Sequence, residues 1–444
     1  MKNFFSAPRR WARLLPVAAL LLGAPTACRL DVVNPNAATD AQTLGTREGL
    51  LALSVGLRQL YSASALEPII LAPATTAREV KGVATFINVT DLETGGAALP
   101  NDNANLTNLF ARSLRVVGVA DQLIAAAPAV LSTDAGTRSG VLAHAYLFKA
   151  AALGALAEAF EQAPLATSTT GQAAFVPRAQ VLAEAVRLLD LATTELAANA
   201  ASADFTTQVL GTAFNLPNTV QAYRARLNLV AGNYAAALAA ANLVDLGVRS
   251  VFSYSSQSPN PIYQSVNITR NFAPRGNFGL PAGFVAAADR RRGFFLTGAR
   301  VASPPDSLRT LAGFFTSLTS DIPAYQPDEM RLVRAEANLR LATPNVVGAL
   351  VDINAVRTQT TGDPFGVYAA LPAYSGPMAV ADLLLEVYKQ RSVELFLSGQ
   401  RLEDSRRFGR PGPPASTAER TRNFYPYPRQ ERLNNPNVPA DPAI

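Results

Sequence analysis

The sequence predicts a mainly α-helical fold, in which helix pairs form a scaffold and loop-rich segments form an irregular binding face. Alanine and leucine recur with helical periodicity along most of the chain. Small residues let neighbouring helices approach each other, and a glycine turns the chain between them, in a tetratricopeptide-like pattern. Two stretches, 71–107 and 248–310, interrupt this periodicity and are rich in Thr, Asn, Ser, Pro, Gly and aromatic residues. We call them the first and second inserts.

The chain begins with the pattern of a secretory signal peptide. Residues 1–13 contain Lys2 and three arginines without an acidic residue, and residues 14–24 carry no charge. This apolar run is shorter than the ~20 residues that span a bilayer. We therefore expect residues 1–27 to be a signal peptide that is removed on export.

Cys28 is the only cysteine of the 444 residues, and it directly follows the predicted signal. This position is typical of a bacterial lipoprotein, in which several acyl chains on the cysteine hold the mature chain at a membrane. The alternative is ordinary cleavage that leaves a free thiol. A single cysteine cannot form an intramolecular disulfide, so stability must come from the core.

The charge of the chain argues against nucleic-acid binding. The net charge is +6, but the predicted signal contributes four basic residues and no acidic one, so the mature chain is nearly neutral. A nucleic-acid-binding protein would show a clustered basic face, and the sequence contains no such cluster.

Helix pairs are predicted near 141–200, 218–247, 327–358 and 380–408. Residues 141–160 are apolar nearly all round, as in a buried helix, and Pro177 stands at a suitable first position for the next one. In the second pair, Gly232 turns the chain and Tyr234 follows it. Because such pairs bury their faces only by stacking, we expect a single helical domain over 28–444.

Several sequence segments carry a family resemblance. In order they are DVVNPNAATD (31–40), AFEQAPL (159–165), RLVRAEANLR with ALVDINAVR, LEVYKQRSVELFLSGQRLEDSRRFGR (385–410) and FYPYPRQERLNNPN (424–437). Together they resemble the motifs of the SusD/RagB family of outer-membrane nutrient-binding lipoproteins, and they extend from end to end of the mature chain. The sequence departs from the family pattern at Glu161, Gln162, Ser398, Gln400 and Leu402.

The resemblance implies a SusD-like scaffold of tetratricopeptide-like pairs with a variable binding face. It also implies a lipid-anchored protein at the cell surface of the outer membrane, which captures oligosaccharides or peptides and acts as a lid on a SusC-type TonB-dependent transporter. Members of the family are not enzymes, and no cofactor is expected. The alternatives are a peptide-binding member of the same family, a tetratricopeptide-type adaptor for periplasmic proteins, and a secreted hydrolase.

Ligand contacts are expected in the inserts, because aromatic rings beside hydrogen-bonding side chains suit sugars. The only tryptophan, Trp11, lies in the predicted signal, and this absence from the mature chain leaves peptide ligands open. The alternative is that the rings pack the inserts onto the helices. The candidates are Phe86, Asn88, Asn101, Asp102, Asn103, Tyr254, Tyr263, Asn267, Phe272, Arg275, Asn277 and Phe278.

Charged residues near the C-terminus are expected to form structural ion pairs, since neighbouring arginines favour ionised carboxylates over general acids. We expect Glu329 and Glu336 to pair with Arg331 and Arg334 on one helix. His144, the only histidine, is expected to pack in the core, and neither a catalytic residue nor a metal site is predicted. The full set of predicted structural residues is Glu329, Glu336, Glu386, Arg391, Glu394, Arg401 and Asp404.

Overall fold

The computed structural model describes residues 43–303 and 306–444, and of residues 299–303 and 306 it describes the backbone only. The signal peptide predicted at 1–27 and the lipidation predicted at Cys28 lie outside these residues. Most of the described chain is helical, and its short strands form two-stranded sheets. The prediction of a mainly helical fold is confirmed.

The helices follow one another along the whole described chain. In order they are α1 (Arg47–Gln59), α2 (Leu66–Thr76), α3 (Ile87–Thr94), α4 (Ala104–Val130), α5 (Ala135–Ala159), α6 (Arg178–Ala198), α7 (Ala203–Phe205), α8 (Leu216–Val230), α9 (Tyr234–Asn242), α10 (Pro261–Tyr263), α11 (Arg291–Phe295), α12 (Pro327–Arg340), α13 (Val346–Arg357), α14 (Val380–Glu394), α15 (Arg401–Arg407) and α16 (Arg429–Asn434). Single π-helical turns occupy Leu60–Ala65, Thr206–Leu210 and Gln264–Ile268, and a 3₁₀ turn occupies Gly96–Ala98.

Side-chain caps fix where several of these helices begin. The Thr46 hydroxyl accepts a hydrogen bond from the Gly49 amide at 3.1 Å, and Asp134 accepts one from the Thr137 amide at 3.0 Å. Such caps satisfy amides that have no partner within the first helical turn. Asn103, Asn215 and Asn345 cap α4, α8 and α13 in the same way.

The longer helices pack in a continuous series. Helix α5 lies against α4 and α6, α6 against α8, α8 against α9, and α9 against α12, which also contacts α13 and α14. Two glycines of α5 allow neighbouring side chains to pack directly against the backbone of this helix. A Cβ atom at Gly140 would lie 2.5 Å from Phe205, and one at Gly154 would lie 2.8 Å from Leu227.

Helices α4 and α5 are long and apolar enough to cross a membrane. In α5, however, 89% of the most apolar window is buried inside the fold, and the corresponding share in α4 is 33%. Helix α5 is therefore the central core helix of the scaffold, as its all-round apolar sequence indicates.

The strands lie mainly in the inserts. They are β1 (Val80–Gly82), β2 (Gln162–Pro164), β3 (Phe175–Pro177), β4 (Val251–Phe252), β5 (Phe272–Pro274), β6 (Leu296–Ser303), β7 (Asp306–Leu311) and β8 (Ile322–Pro323). The antiparallel pairs are β1 with β5, β2 with β3, β4 with β8, and β6 with β7. The first insert was predicted to begin at residue 71, but residues 71–76 still belong to α2, where Leu71 and Ala74 are buried. The irregular part of this insert begins after Thr76.

Two predicted ion pairs have other partners. Glu329 does not pair with Arg331; its carboxylate binds Arg226 of α8 at 2.6 Å. Glu336 does not pair with Arg334; it binds Arg340 at 2.8 Å and Arg407 at 2.7 Å. Both carboxylates point inward from α12, so arginines from other helices reach them. Arg331 and Arg334 pair instead with Asp328 and Asp352.

The remaining charged residues of the C-terminal helices also bind across elements. Asp404 binds Arg391 at 2.8 Å, and Glu394 binds Arg291 at 3.1 Å. Glu386 pairs with Arg357 of α13. Arg401 differs from the expectation, because its guanidinium donates to the backbone oxygens of Ser392 at 2.7 Å and Phe278 at 3.2 Å.

Candidate functional site

The two inserts meet on one face of the molecule. Strand β1 of the first insert pairs with β5 of the second, with Val80 opposite Pro274. Just beyond this pairing, the Val83 amide donates to the Asn271 oxygen at 2.9 Å. An ion pair of 2.6 Å joins Arg275 to Glu93 of α3. Segments that are far apart in the sequence therefore form a single surface.

A groove of about 580 Å³ opens in the second insert, within the size range of small-molecule sites. We call it the insert groove. Its walls are the π-helical turn after α10 and the hairpin of β6 and β7, in which Thr297 lies opposite Thr310. The lining residues are Tyr263, Val266, Asn267, Arg270, Thr297, Thr310, Leu311, Ala312 and Thr316.

Asparagine side chains hold the groove in shape. Asn260 caps α10 by accepting from the Tyr263 amide at 2.9 Å, and its own amide group donates to the Ser320 oxygen at 2.8 Å. Asn267 donates to the backbone oxygens of Leu311 and Phe315, each at 3.0 Å. These bonds fix the side-chain amide of Asn267, which lines the groove.

The groove is suited to hydrogen bonding with a polar ligand. Its lining combines the tyrosine ring and hydroxyl of Tyr263, three threonine hydroxyls and the Arg270 guanidinium. Neither a carboxylate nor a histidine is among the lining residues. The chemistry available there is therefore apolar contact with a ring and hydrogen bonding.

Several apolar side chains of the two inserts are exposed. Phe86 is 66% exposed and Ile87 70%, and Ile268, next to the groove residue Asn267, is 54% exposed. The backbone bonds between 83–84 and Asn271 place the two insert segments close together. Exposed apolar side chains that form a contiguous patch mark interaction surfaces. We call Val83, Phe86, Ile87 and Ile268 the apolar rim.

The other candidates of the first insert organise the start of α4. The Asn88 backbone oxygen accepts from the Asn103 side chain at 2.9 Å, and its Oδ1 accepts from the Ala104 amide at 2.9 Å. Asn103 is buried and caps α4. The Asn101 oxygen accepts from the Arg429 amide, and the Asp102 carboxylate is exposed, 3.8 Å from the same arginine.

Several candidates of the second insert are buried, so the expectation that they face a ligand is wrong for this structure. Phe272 is 3% exposed on β5, and Phe278 is fully buried, 4.8 Å from Phe396 between ring centres. Arg275 is buried in its pair with Glu93. The two phenylalanine rings and the ion pair of Arg275 therefore pack the second insert against the rest of the fold. Asn277 is exposed, but its side chain bonds to the neighbouring turn.

Sequence reasoning found Tyr263 and Asn267 and missed the threonines of the groove. Thr297 and Thr310 face each other only because the hairpin pairs them, and isolated threonines carry no sequence signal of binding. Thr316 lies beyond the predicted insert. Tyr254 lines a different cleft, where its hydroxyl donates to the Ser62 oxygen at 3.1 Å.

Several buried ionisable groups lie away from the groove. His144 is fully buried, and burial lowers its pKa to about 3, so the ring is neutral. Burial also raises the pKa of Glu158 and of Glu79 to about 7. Neither residue lines the insert groove. Within residues 43–303 and 306–444, no group of three or more His, Cys, Asp or Glu is placed to hold a metal ion.

Comparison with known proteins gives a structural result only. Neither a protein-family model nor a curated protein matches the chain. Among solved structures, a SusD homolog from Bacteroides thetaiotaomicron matches with a TM-score of 0.70 and 12% identity, covering 91% of this chain and 99% of its own. Bacteroides fragilis NanU matches with a TM-score of 0.66 and 14% identity, over 92% of this chain and 99% of its own.

A SusD-like carbohydrate binding protein from Bacteroides vulgatus matches with a TM-score of 0.67 and 14% identity, over 88% of this chain and 97% of its own. Identity this low leaves ligand and partner open, whereas coverage of nearly the whole chain defines the architecture. The chain therefore has the SusD-like fold that its sequence motifs predict.

Proposed function

We propose that the protein is a nutrient-binding lipoprotein of the cell surface, which captures an oligosaccharide or another oligomeric nutrient in the insert groove. The observation that carries this proposal is the groove itself. It joins a tyrosine ring, a fixed asparagine and several threonine hydroxyls in about 580 Å³, and no carboxylate lines it among the residues that the structure describes. A sugar presents an apolar ring face together with many hydroxyls, and the groove matches both features.

A peptide is the second candidate ligand, and the apolar rim favours it. Phe86 and Ile87 are mostly exposed at the junction of the inserts, where a peptide side chain could cover them. The absence of tryptophan from residues 28–444 removes the largest aromatic platform for a sugar. The polarity of the groove walls still ranks an oligosaccharide first.

The proposed ligand site is tested by direct binding. A screen of oligosaccharides and peptides should yield a ligand, and Tyr263→Ala should weaken its binding by ~1–3 kcal/mol. Tyr374→Ala is the matched control, because this half-buried tyrosine does not line the groove. Equal affinities for Tyr263→Ala and the unmodified protein would refute the insert groove as the ligand site.

The proposal includes a lipid anchor on Cys28 and delivery to a SusC-type TonB-dependent outer-membrane transporter. The support is the position of the only cysteine after a signal-like segment, together with the SusD-like fold. Cys28→Ala should move the protein from the membrane fraction to the soluble fraction. Retention of the variant in the outer membrane after a salt wash would contradict lipid anchoring. Failure to co-purify with any such transporter would argue against the partner.

A further inference from the structure

A second cleft, of about 360 Å³, lies between α1, the π-helical turn after α7 and the segment after β4. We call it the Arg58 cleft. It shares no lining residue with the insert groove. Its lining residues are Val55, Arg58, Gln59, Ser62, Leu210, Ala213, Val251, Phe252, Ser253, Tyr254, Ser255 and Ser258.

Arg58 is held firmly in this cleft. One guanidinium nitrogen, Nη1, donates to the Leu210 oxygen at 2.8 Å. The guanidinium carbon lies 5.6 Å from the centre of the Phe214 ring, within the range of a cation–π contact. The side chain is therefore positioned before any ligand arrives.

The charge of Arg58 has no acidic partner among the described residues. Burial alone lowers the pKa of its guanidinium, with no carboxylate raising it. By contrast, Glu329 raises the pKa of the buried Arg226, and Asp289 and Glu394 raise that of Arg291. A partly buried cation without a counter-charge is costly, and an anion in the cleft would offset that cost.

The rest of the cleft supplies neutral hydrogen-bonding groups. Gln59 and four serines line it, and neither Asp nor Glu is among its lining residues. The ring of Tyr254 forms part of the wall, with its hydroxyl bonded to the Ser62 oxygen. Asp321 contributes to raising the pKa of Tyr254 but does not line the cleft. An arginine among hydroxyls is a common arrangement for binding carboxylate or phosphate oxygens.

We propose that the Arg58 cleft is a second binding site, which takes the anionic oxygen group of a small acidic ligand, either a carboxylate or a phosphate. The guanidinium supplies the charge and the serine hydroxyls supply further hydrogen bonds. The volume admits a group of about monosaccharide size. The site is independent of the ligand proposed for the insert groove.

Calorimetry with small probes tests this site. Glucuronate, inorganic phosphate and uncharged glucose are titrated separately into the full-length protein. We expect glucuronate or phosphate to bind and glucose not to bind. Binding of glucuronate alone identifies a carboxylate site, and binding of phosphate alone identifies a phosphate site. If neither anion binds better than glucose, the proposal is wrong.

Arg58→Gln should weaken anion binding roughly 10-fold to 100-fold, as expected for loss of a charged hydrogen-bonding partner. Arg115→Gln is the matched control, since Arg115 is an exposed arginine of α4 outside the cleft. Tyr263→Ala should also leave anion binding unchanged, which separates this proposal from the insert groove. Unchanged binding in Arg58→Gln would overturn the proposal.

A variant that adds a charge provides a test that does not depend on removing the arginine. Ser253 is exposed and lines the cleft, so Ser253→Glu should place a carboxylate beside Arg58. We expect a higher melting temperature together with loss of anion binding. Full anion affinity in a folded Ser253→Glu protein would contradict the assigned site.

Discussion

The helical scaffold and the insert face satisfy their buried polar groups in different ways. In the scaffold, carboxylates such as Glu336 and Asp404 are paired with arginines from other helices or turns. In the inserts, asparagine side chains such as Asn260 and Asn267 bind backbone oxygens. The scaffold thus uses charge to join helices, whereas the insert face adds neutral amides, which hold irregular backbone, to ion pairs such as that of Arg275 with Glu93.

This difference has a consequence for function. A carboxylate such as that of Asp404, which binds arginine through both oxygens, serves the stability of the scaffold. Side-chain amides that brace the backbone fix the shape of a groove and leave other groups toward solvent. Arg58 differs from both groups. It is a charged residue held by a backbone oxygen and an aromatic ring, and it has no carboxylate partner among the described residues.

The largest effect should come from breaking a scaffold ion pair. Glu336→Ala leaves Arg340 without its buried carboxylate and leaves Arg407 paired with Asp404 alone. Loss of one member of a buried pair costs ~3–5 kcal/mol, measured as the free energy of unfolding in urea. The control is Glu184→Ala, which removes a pair with the exposed Arg187 and should cost less than ~1 kcal/mol. Similar losses in both variants would show that burial does not distinguish the pairs.

The pH dependence of stability reports on the burial of His144 in the scaffold core. Its pKa falls from 6.5 in the unfolded chain to about 3 in the fold, chiefly through burial and also through the charge of Arg58. The unfolded chain therefore takes up a proton between these values that the folded protein does not. Stability should fall as pH drops below 6.5, by up to ~1.4 kcal/mol per unit from this residue.

His144→Phe should remove this part of the acid sensitivity and change stability little at pH 8. Unfolding in urea at pH 8, 6 and 4 measures it, with the unmodified protein as reference. If both proteins lose the same free energy between pH 6 and pH 4, the residue is not a buried neutral histidine.

Asn267 tests whether amide-to-backbone bonding holds the insert groove. Asn267→Asp replaces a donor to the Leu311 and Phe315 oxygens with a carboxylate that repels them. We expect a loss of ~1–3 kcal/mol in stability together with weaker ligand binding. Asn277→Asp, at an exposed turn, is the control. Full stability and affinity of Asn267→Asp would show that these bonds do not shape the groove.

The smallest effect is expected at the apolar rim. Phe86→Ser removes a ring that is 66% exposed and contributes little to the core, so stability should change by less than ~0.5 kcal/mol. If the nutrient is a peptide with apolar side chains, affinity should fall clearly. An unchanged affinity would favour a sugar bound in the groove alone.

The sequence predicted the scaffold because helical periodicity is a local property. The all-round apolar segment around His144 became the central helix α5, and asparagines stand at several helix starts. The ion pairs of Glu329 and Glu336 could not be assigned in this way. Their arginines lie on other elements, and sequence spacing reports only neighbours on the same helix.

By itself, the sequence determined the mainly helical class and the two segments that interrupt it. Only the tertiary structure decided which insert residues face outward, because the pairing of β1 with β5 and the β6–β7 hairpin set the direction of each side chain. That packing buries Phe272 and Phe278, exposes Phe86, and places Tyr263 and Asn267 in one groove. Local sequence patterns do not report contacts between distant segments. For this reason the insert groove could be recognised only in the tertiary structure.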